Sequence, residues 1–265
     1  MDRKAEEIRS SVQERYASLA KGMSRSCCSL PAEVSAGQSA AHAERLYTSE
    51  ELEKLPTEVA DISLGCGNPT AIAELREGEM VLDLGSGGGI DCFLAAQKVG
   101  TRGRVVGLDM TPEMIQLARE NAQKIGTSNV EFRLGEMEHM PVEDSSVDVI
   151  ISNCVINLSP DKDAVFGEAY RVLKPGGRLC VSDIVLLGEL PREVKENVEQ
   201  WTGCIAGALN QNVYLDKIRA AGLVEIIVDT DSIPFDPESE SWRNRPDLKD
   251  KVASIKVKAF KPSQA

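Results

Sequence analysis

The stretch Val81 to Cys92, VLDLGSGGGIDC, constrains the fold of this chain more than any other. A short apolar run ends around Asp83, a turn containing Gly85, Gly87, Gly88 and Gly89 follows, and a helical pattern begins. Glycines permit a tight turn and let backbone N–H groups approach a ligand closely at the start of a helix. The pattern continues: the β-branched runs MVLDL, RVVGLD, VEFRL, VDVIIS and GRLCVSDI alternate with longer helical segments. That alternation predicts a parallel sheet covered by helices, with strands apolar enough to be buried on both faces. The helix TPEMIQLARENAQKIG has Thr111 as its cap, Pro112 at its first position, an apolar stripe of Met114, Leu117, Ala118 and Ile125, and Gly126 as its stop. SPDKDAVFGEAYRVLKPGG repeats the grammar, with Ser159 as cap, Pro160 inside, Val165, Phe166, Ala169, Val172 and Leu173 facing the sheet, and Pro175 with two glycines ending it.

A chain of 265 residues suits one large domain, or one with a small appendage. Residues 1–45 read as a charged helix to about Lys21 followed by a Ser-, Gly- and Ala-rich connection, a helical flap outside the core. Residues 46–187 form the nucleotide-binding unit. Residues 188–265 are expected to cover the substrate and complete the sheet, with VEIIVD and SIKVKAF as late strands and the polar stretch 232–250 as a loop between them. The net charge of −12 and the lack of any basic run argue against a nucleic-acid partner. No stretch approaches the roughly 18 apolar residues a membrane span needs. The opening MDRKAEEIRS lacks a secretory apolar segment, so the expected location is cytoplasmic. The seven cysteines have no Cys-x-x-Cys spacing and are too dispersed for a zinc finger. In a reducing compartment most are free thiols, which points to reactivity or soft-ion binding.

A dinucleotide fingerprint requires a third glycine where this chain has Ile90. The actual pattern, Asp-x-Gly-x-Gly-x-Gly from Asp83 to Gly89, resembles the first motif of class I S-adenosylmethionine-dependent methyltransferases. The resemblance implies an α/β, Rossmann-like sheet flanked by helices, with Asp83, Gly85, Ser86 and Gly87 holding the cofactor. Asp109 ends the second strand, where a carboxylate accepts hydrogen bonds from both ribose hydroxyls. By the same resemblance Met110 packs on the adenine, Glu136 or Met137 edges it, and Asn153 stands on the cofactor side of the fourth strand.

No Ser-His-Asp set, metal-spaced histidine pair or general base is visible, and His42 and His139 are isolated surface residues. Packing accounts for Cys92 and Cys180. Cys154 follows the fourth strand at the edge where open α/β sheets bind ligands, near the methyl to be transferred. Cys204, in WTGCIAGAL, reads equally as a helix-packing residue or a substrate-closing one. Cys66 lies between two glycines in a turn that presents its thiol. From about Tyr47 to at least Gly222, the set LGCGNP, VLDLGSGGGIDC, GLDMTPEM, ISNCVINLSPDK and WTGCIAGAL resembles the arsenite methyltransferase family.

That resemblance implies S-adenosylmethionine as cofactor and arsenite, or its thiol conjugate, as substrate, with trivalent arsenic held by Cys66, Cys154 and Cys204. It also implies a redox role for Cys28 or its neighbour Cys27, reset by thioredoxin or a glutathione-like thiol. Thiolates are the natural ligands of a soft ion, and the arsenic lone pair would itself attack, which explains the missing base. Two alternatives stay open: a methyltransferase for a small quinone- or sterol-type acceptor, and a non-catalytic arsenite binder.

Overall fold

The computed structural model describes residues 3–22, 47–52, 55, 68–189, 207–229 and 251–263. Cys27, Cys28, Cys66, Cys204, His42 and the expected loop 232–250 lie outside them. Helices α1 (Arg3–Ala20), α2 (Ser49–Leu52) and α3 (Pro69–Ala73) precede the first strand. There follow β1 (Met80–Leu84), α4 (Ile90–Val99), β2 (Arg104–Asp109), α5 (Pro112–Ile125), β3 (Val130–Leu134), β4 (Val147–Asn153), a 3₁₀ turn (Ile156–Leu158), α6 (Lys162–Val172) and β5 (Leu173–Leu186). Helix α7 (Gln211–Ala220), β6 (Val224–Asp229) and β7 (Val252–Phe260) complete the chain.

The strands form one seven-stranded sheet in the order β3-β2-β1-β4-β5-β7-β6. β1 to β5 pair in parallel, while β7 runs antiparallel between β5 and β6, so the two late strands do complete the sheet. Alternation within each strand sends successive side chains to opposite faces. Leu82, Leu84, Ile150 and Val181 pack with Val165 and Phe166 of α6 and Tyr214 of α7. Val81, Val149, Ile151 and Cys180 pack with Phe93 of α4 and Ile115 of α5 on the other side. Each such side chain contributes roughly 1.5–3 kcal/mol on burial, so the double-sided covering is what holds a sheet this apolar in water. Cys92 and Cys180 are buried free thiols.

Three expectations are corrected. Helix α6 is capped by Asp161, whose side chain accepts from the Ala164 N–H, and not by Ser159; Pro160 therefore precedes the helix. The Ser159 hydroxyl stands two residues before that cap, donating to the buried Glu138 at 2.6 Å and accepting from the Asp161 N–H at 3.1 Å. The helix also stops at Val172, and the Pro-Gly-Gly stretch belongs to β5. Finally, α1 is not set apart from the core: Ile8, Val12 and Leu19 are buried, with Ile8 and Val12 packed against Cys154, Leu158, Ile184 and Val252. Its charged residues occupy the remaining faces, which is what disguises the buried stripe.

Candidate active site

Because β1 to β5 are parallel, their carboxyl ends share one edge. The chain moves outward from β1 to β2 and β3, then returns to place β4 on the other side of β1. Ligands bind at such a switch point in open α/β sheets. The cleft is there, about 970 Å³ with its open mouth included, and it is lined by Gly85 to Gly88, Asp91, Asp109, Met110, Met137, Asn153 and Cys154 among others.

The glycine turn hangs from the second strand: Gly85 and Ser86 donate their N–H groups to the Leu108 carbonyl at 2.8 and 3.0 Å. Gly87 donates to Asp109 Oδ2 at 3.0 Å, while Thr111 N–H holds Oδ1 at 2.8 Å. Burial pushes the Asp109 carboxyl above the ordinary carboxylate range, against those backbone donors. Gly85 has φ +67, and a Cβ there would overlap the Val155 side chain, whereas a Cβ on Gly87 would project into open space. Gly85→Ala is therefore expected to destabilise the fold by about 1–3 kcal/mol and to abolish cofactor binding, read by thermal melting and calorimetric titration.

The β4 side of the cleft is shaped by the segment after Asn153. Cys154 takes a left-handed conformation (φ 59) that is strained for a residue with a Cβ. Its N–H donates to the Ser182 carbonyl at 2.7 Å, and its side chain is buried and disulfide-bonded. Behind it the 3₁₀ turn is riveted to β5. Asn157 Nδ2 donates to Asp183 Oδ1 at 2.8 Å and to the Ile184 carbonyl at 2.6 Å, and Tyr214 donates its hydroxyl to Asp183 Oδ2 at 3.1 Å. Lys162 Nζ caps the Asn157 and Ser159 carbonyls. The motif CVINLSPDK thus encodes a clamp that aims Cys154 at the cleft.

Helix α1 walls the cleft with Arg9, Val12 and Tyr16. Arg9 pairs with Glu138 at 3.3 Å, and Gln13 Nε2 donates to the Met110 carbonyl at 3.0 Å. Glu136 lies 3.6 Å from Arg9, with its side chain 44% exposed and outside the lining; Glu138 is the acid that reaches the cleft.

Asp83 is 2% exposed and sits beneath the turn, where it accepts from the Cys92 thiol at 3.2 Å. Burial raises its carboxyl well above the usual range, and the Asp91 charge adds to this. Burial likewise raises the Cys92 thiol, with Asp83 reinforcing it, so Cys92 stays protonated and donates. Of the three cysteines expected to hold arsenic, Cys154 alone falls among the described residues, and it is at the cleft. Among the described residues no three His, Cys, Asp or Glu side chains cluster as a metal site.

A family model described as a methyltransferase domain matches residues 75–222. An arsenite methyltransferase from Halobacterium salinarum is 45% identical over 99% of this chain and 69% of its own length. The chain belongs to the arsenite methyltransferase family. The mouse arsenite methyltransferase is 37% identical over 78% of this chain, which spans 55% of that protein's length. The crystal structure of CrArsM, an arsenic(III) S-adenosylmethionine methyltransferase from Chlamydomonas reinhardtii, matches with a TM-score of 0.67 and 38% identity, covering 83% of this chain and 74% of that one. The sheet is that of a class I methyltransferase, and the cofactor of the family is S-adenosylmethionine. The cleft fits it: the backbone at Gly87 opens onto free space, a carboxylate stands at the β2 end, and a second acid, Asp91, held by the Tyr47 hydroxyl at 3.1 Å and the Asn153 amide at 3.0 Å, stands at the other. No helix among the described residues is long and apolar enough to cross a membrane.

Proposed function

We propose that this protein transfers a methyl group from S-adenosylmethionine to trivalent arsenic held by the thiolates of Cys66, Cys154 and Cys204. The observation that carries the reading is Cys154: it stands in the cleft wall directly after Asn153, in a strained backbone conformation, bonded to a second sulfur. That bond has to be reduced before the sulfur can serve as a thiolate ligand, and a thiol reductant does this by disulfide exchange.

The bound cofactor supplies a methyl on a positively charged sulfur. On the protein side, Asp109 is assigned to the ribose, Met110 and Met137 to the adenine, and the turn from Gly85 to Gly87 to the central part. Three sulfur ligands leave the arsenic substrate a lone pair, so no proton has to be removed at attack and no general base is needed. The chain's contribution is alignment, which is worth roughly 7–11 kcal/mol in favourable cases. Methylation takes arsenic from the trivalent to the pentavalent state. Return to the trivalent state takes two electrons, which a pair of thiols provides on closing a disulfide; a thioredoxin or glutathione-like thiol then reduces it. Cys28, or Cys27 beside it, is the proposed shuttle, and a reducing cytoplasm is the compartment that suits it.

The test is arsenic-speciation chromatography on purified protein given arsenite, S-adenosylmethionine and a thiol reductant. Methylarsenicals are the expected products. Cofactor binding without any methylated product would reduce the assignment to an arsenite binder or turn it to an organic acceptor.

A further inference from the structure

The turn that carries Cys154 is held against its own preferences at two points. Cys154 has φ 59, a left-handed conformation that a residue with a Cβ keeps only where its surroundings over-determine it. Three residues on, Asn157 is fully buried, and its Oδ1 has no hydrogen-bond partner among the described residues. A buried acceptor left unpaired is costly, so the amide is oriented entirely from its other end. There Nδ2 donates to Asp183 Oδ1 at 2.8 Å and to the Ile184 carbonyl at 2.6 Å. Strain of this kind is stored where function needs one geometry, and it points to an enforcing group behind the turn.

That group is Asp183. It is fully buried on β5, and its two oxygens are held from different elements. Oδ1 takes Asn157 from the 3₁₀ turn and the Ile184 N–H at 3.0 Å, while Oδ2 takes the Tyr214 hydroxyl of α7 at 3.1 Å. Opposing donors orient a carboxylate, so the Tyr214 hydroxyl fixes where Oδ1 stands and, through it, where the Asn157 amide stands. Lys162 supplies the cation: its charge attracts Asp183, and its Nζ donates to the Asn157 carbonyl at 3.2 Å. Tyr214 serves as the anchor because its own place is fixed. Its ring is fully buried and edge-on to Phe166 at 5.4 Å, and the start of α7 is tied to the end of β5 where Leu186 N–H donates to the Leu209 carbonyl at 2.8 Å. Neither Tyr214 nor Asp183 lines the cleft, so both act at a distance from any ligand in it.

We infer that Tyr214 and Asp183 are positioning residues for the methyl transfer, which set the direction of the Cys154 sulfur through Asn157. The inference rests on the reading in which Cys154 holds arsenic. It goes beyond that reading by giving a hydroxyl outside the cleft control over one sulfur inside it.

The test is a double-mutant cycle read as arsenite affinity, by calorimetric titration of the full chain with its thiols kept reduced by a phosphine. Tyr214→Phe deletes one hydroxyl and keeps the ring against Phe166. It is expected to weaken arsenite about tenfold, the worth of one hydrogen bond to a charged group. The methylation rate at saturating substrates should fall by a similar factor, while S-adenosylhomocysteine affinity stays within about twofold. Asn157→Ala cuts the same link at its other end and should weaken arsenite at least as much. In the Cys154→Ser protein neither change should weaken arsenite further, because no sulfur is left to misdirect. Arsenite affinity that stays within about twofold of the unmodified protein in both variants overturns the inference, whatever happens to the melting temperature. So does a weakening that persists in the Cys154→Ser background, or an equal loss of S-adenosylhomocysteine affinity. If one variant does not fold, the other decides. Equal arsenite affinity in Cys154→Ser and the unmodified protein would instead remove Cys154 from the arsenic ligands, and this inference with it.

Discussion

Cys154→Ser is expected to lower arsenic methylation by at least about 10³-fold while leaving cofactor affinity within about twofold. The oxygen replaces sulfur with little change of volume at a position that is 3% exposed, so packing against Ile8, Val12 and Leu158 survives. The left-handed backbone at φ 59 is no harder for serine than for cysteine. What is lost is a soft, ionisable ligand: a serine hydroxyl stays protonated at neutral pH and coordinates a thiophilic ion poorly. With the arsenic held by fewer thiolates, both its residence and its direction suffer. Forfeiting even half of an alignment term of roughly 7–11 kcal/mol costs about three powers of ten at 1.36 kcal/mol each. The measurement is the rate of methylarsenical formation under excess thiol reductant, with cofactor titration alongside. Cys180→Ala is the control, because Cys180 packs against Val81, Val149 and Phe93 away from the cleft and should leave the rate unchanged. A Cys154→Ser protein with an undiminished rate would show that this sulfur does not hold the acceptor.

What was legible in the chain follows from locality. The glycine turn, the Thr111–Pro112 helix start and Asp109 at a strand end are set by residues that are neighbours in sequence, and the structure places all of them as the pattern implied. Cys154 was placed at the right edge by topology alone. The misses share a different cause. Asp91 stands in the first turn of α4, where an acid is explained by the helix dipole; nothing local announces that Tyr47 and Asn153 will converge on it from 44 and 62 residues away. Glu138 and Glu136 are two positions apart on one loop, and which of them faces the cleft depends on Arg9 of α1 and on Ser159. The misread cap of α6, by contrast, has a local cause: Ser159 and Asp161 are both good caps, the Ser159 oxygen takes the Asp161 N–H, and only Asp161 reaches the Ala164 N–H inside the helix. One clue was present for Tyr47: Thr48-x-x-Glu51 is a capping-box pattern, which fixes the residue before it.

Stability should rise, not fall, as the pH is lowered from 8 towards 5. Burial holds Asp183 up at about 7 and Asp91 at about 6, and raises Asp83 and Asp109 as well, although backbone and side-chain donors oppose it at Asp183, Asp91 and Asp109. In the unfolded chain these carboxyls titrate near 3.9. Between about pH 4 and pH 7 the folded chain therefore keeps protons that the unfolded chain releases, and the free energy of unfolding falls as pH rises through that window. The acid at Asp183 alone, bound over about three pH units more in the folded state, is worth on the order of 4 kcal/mol. Glu168, held below the ordinary range by Arg171, works in the opposite sense only at lower pH. The diagnostic variant is Asp183→Asn. Its carbonyl oxygen can keep the bonds from Asn157 and the Ile184 N–H, and its amide can donate to the Tyr214 hydroxyl, which turns from donor to acceptor. The side chain at this position is then neutral at every pH, and only the Lys162 charge beside it remains. Chemical denaturation from pH 5 to pH 8 should show a steep loss of stability in the unmodified protein and a markedly flatter profile in the variant. A slope unchanged by the substitution, or a stability that climbs with pH, would mean that Asp183 ionises inside the fold without cost. In that case the Asn157 and Tyr214 donors, together with Lys162, would compensate the charge that aims the Cys154 loop.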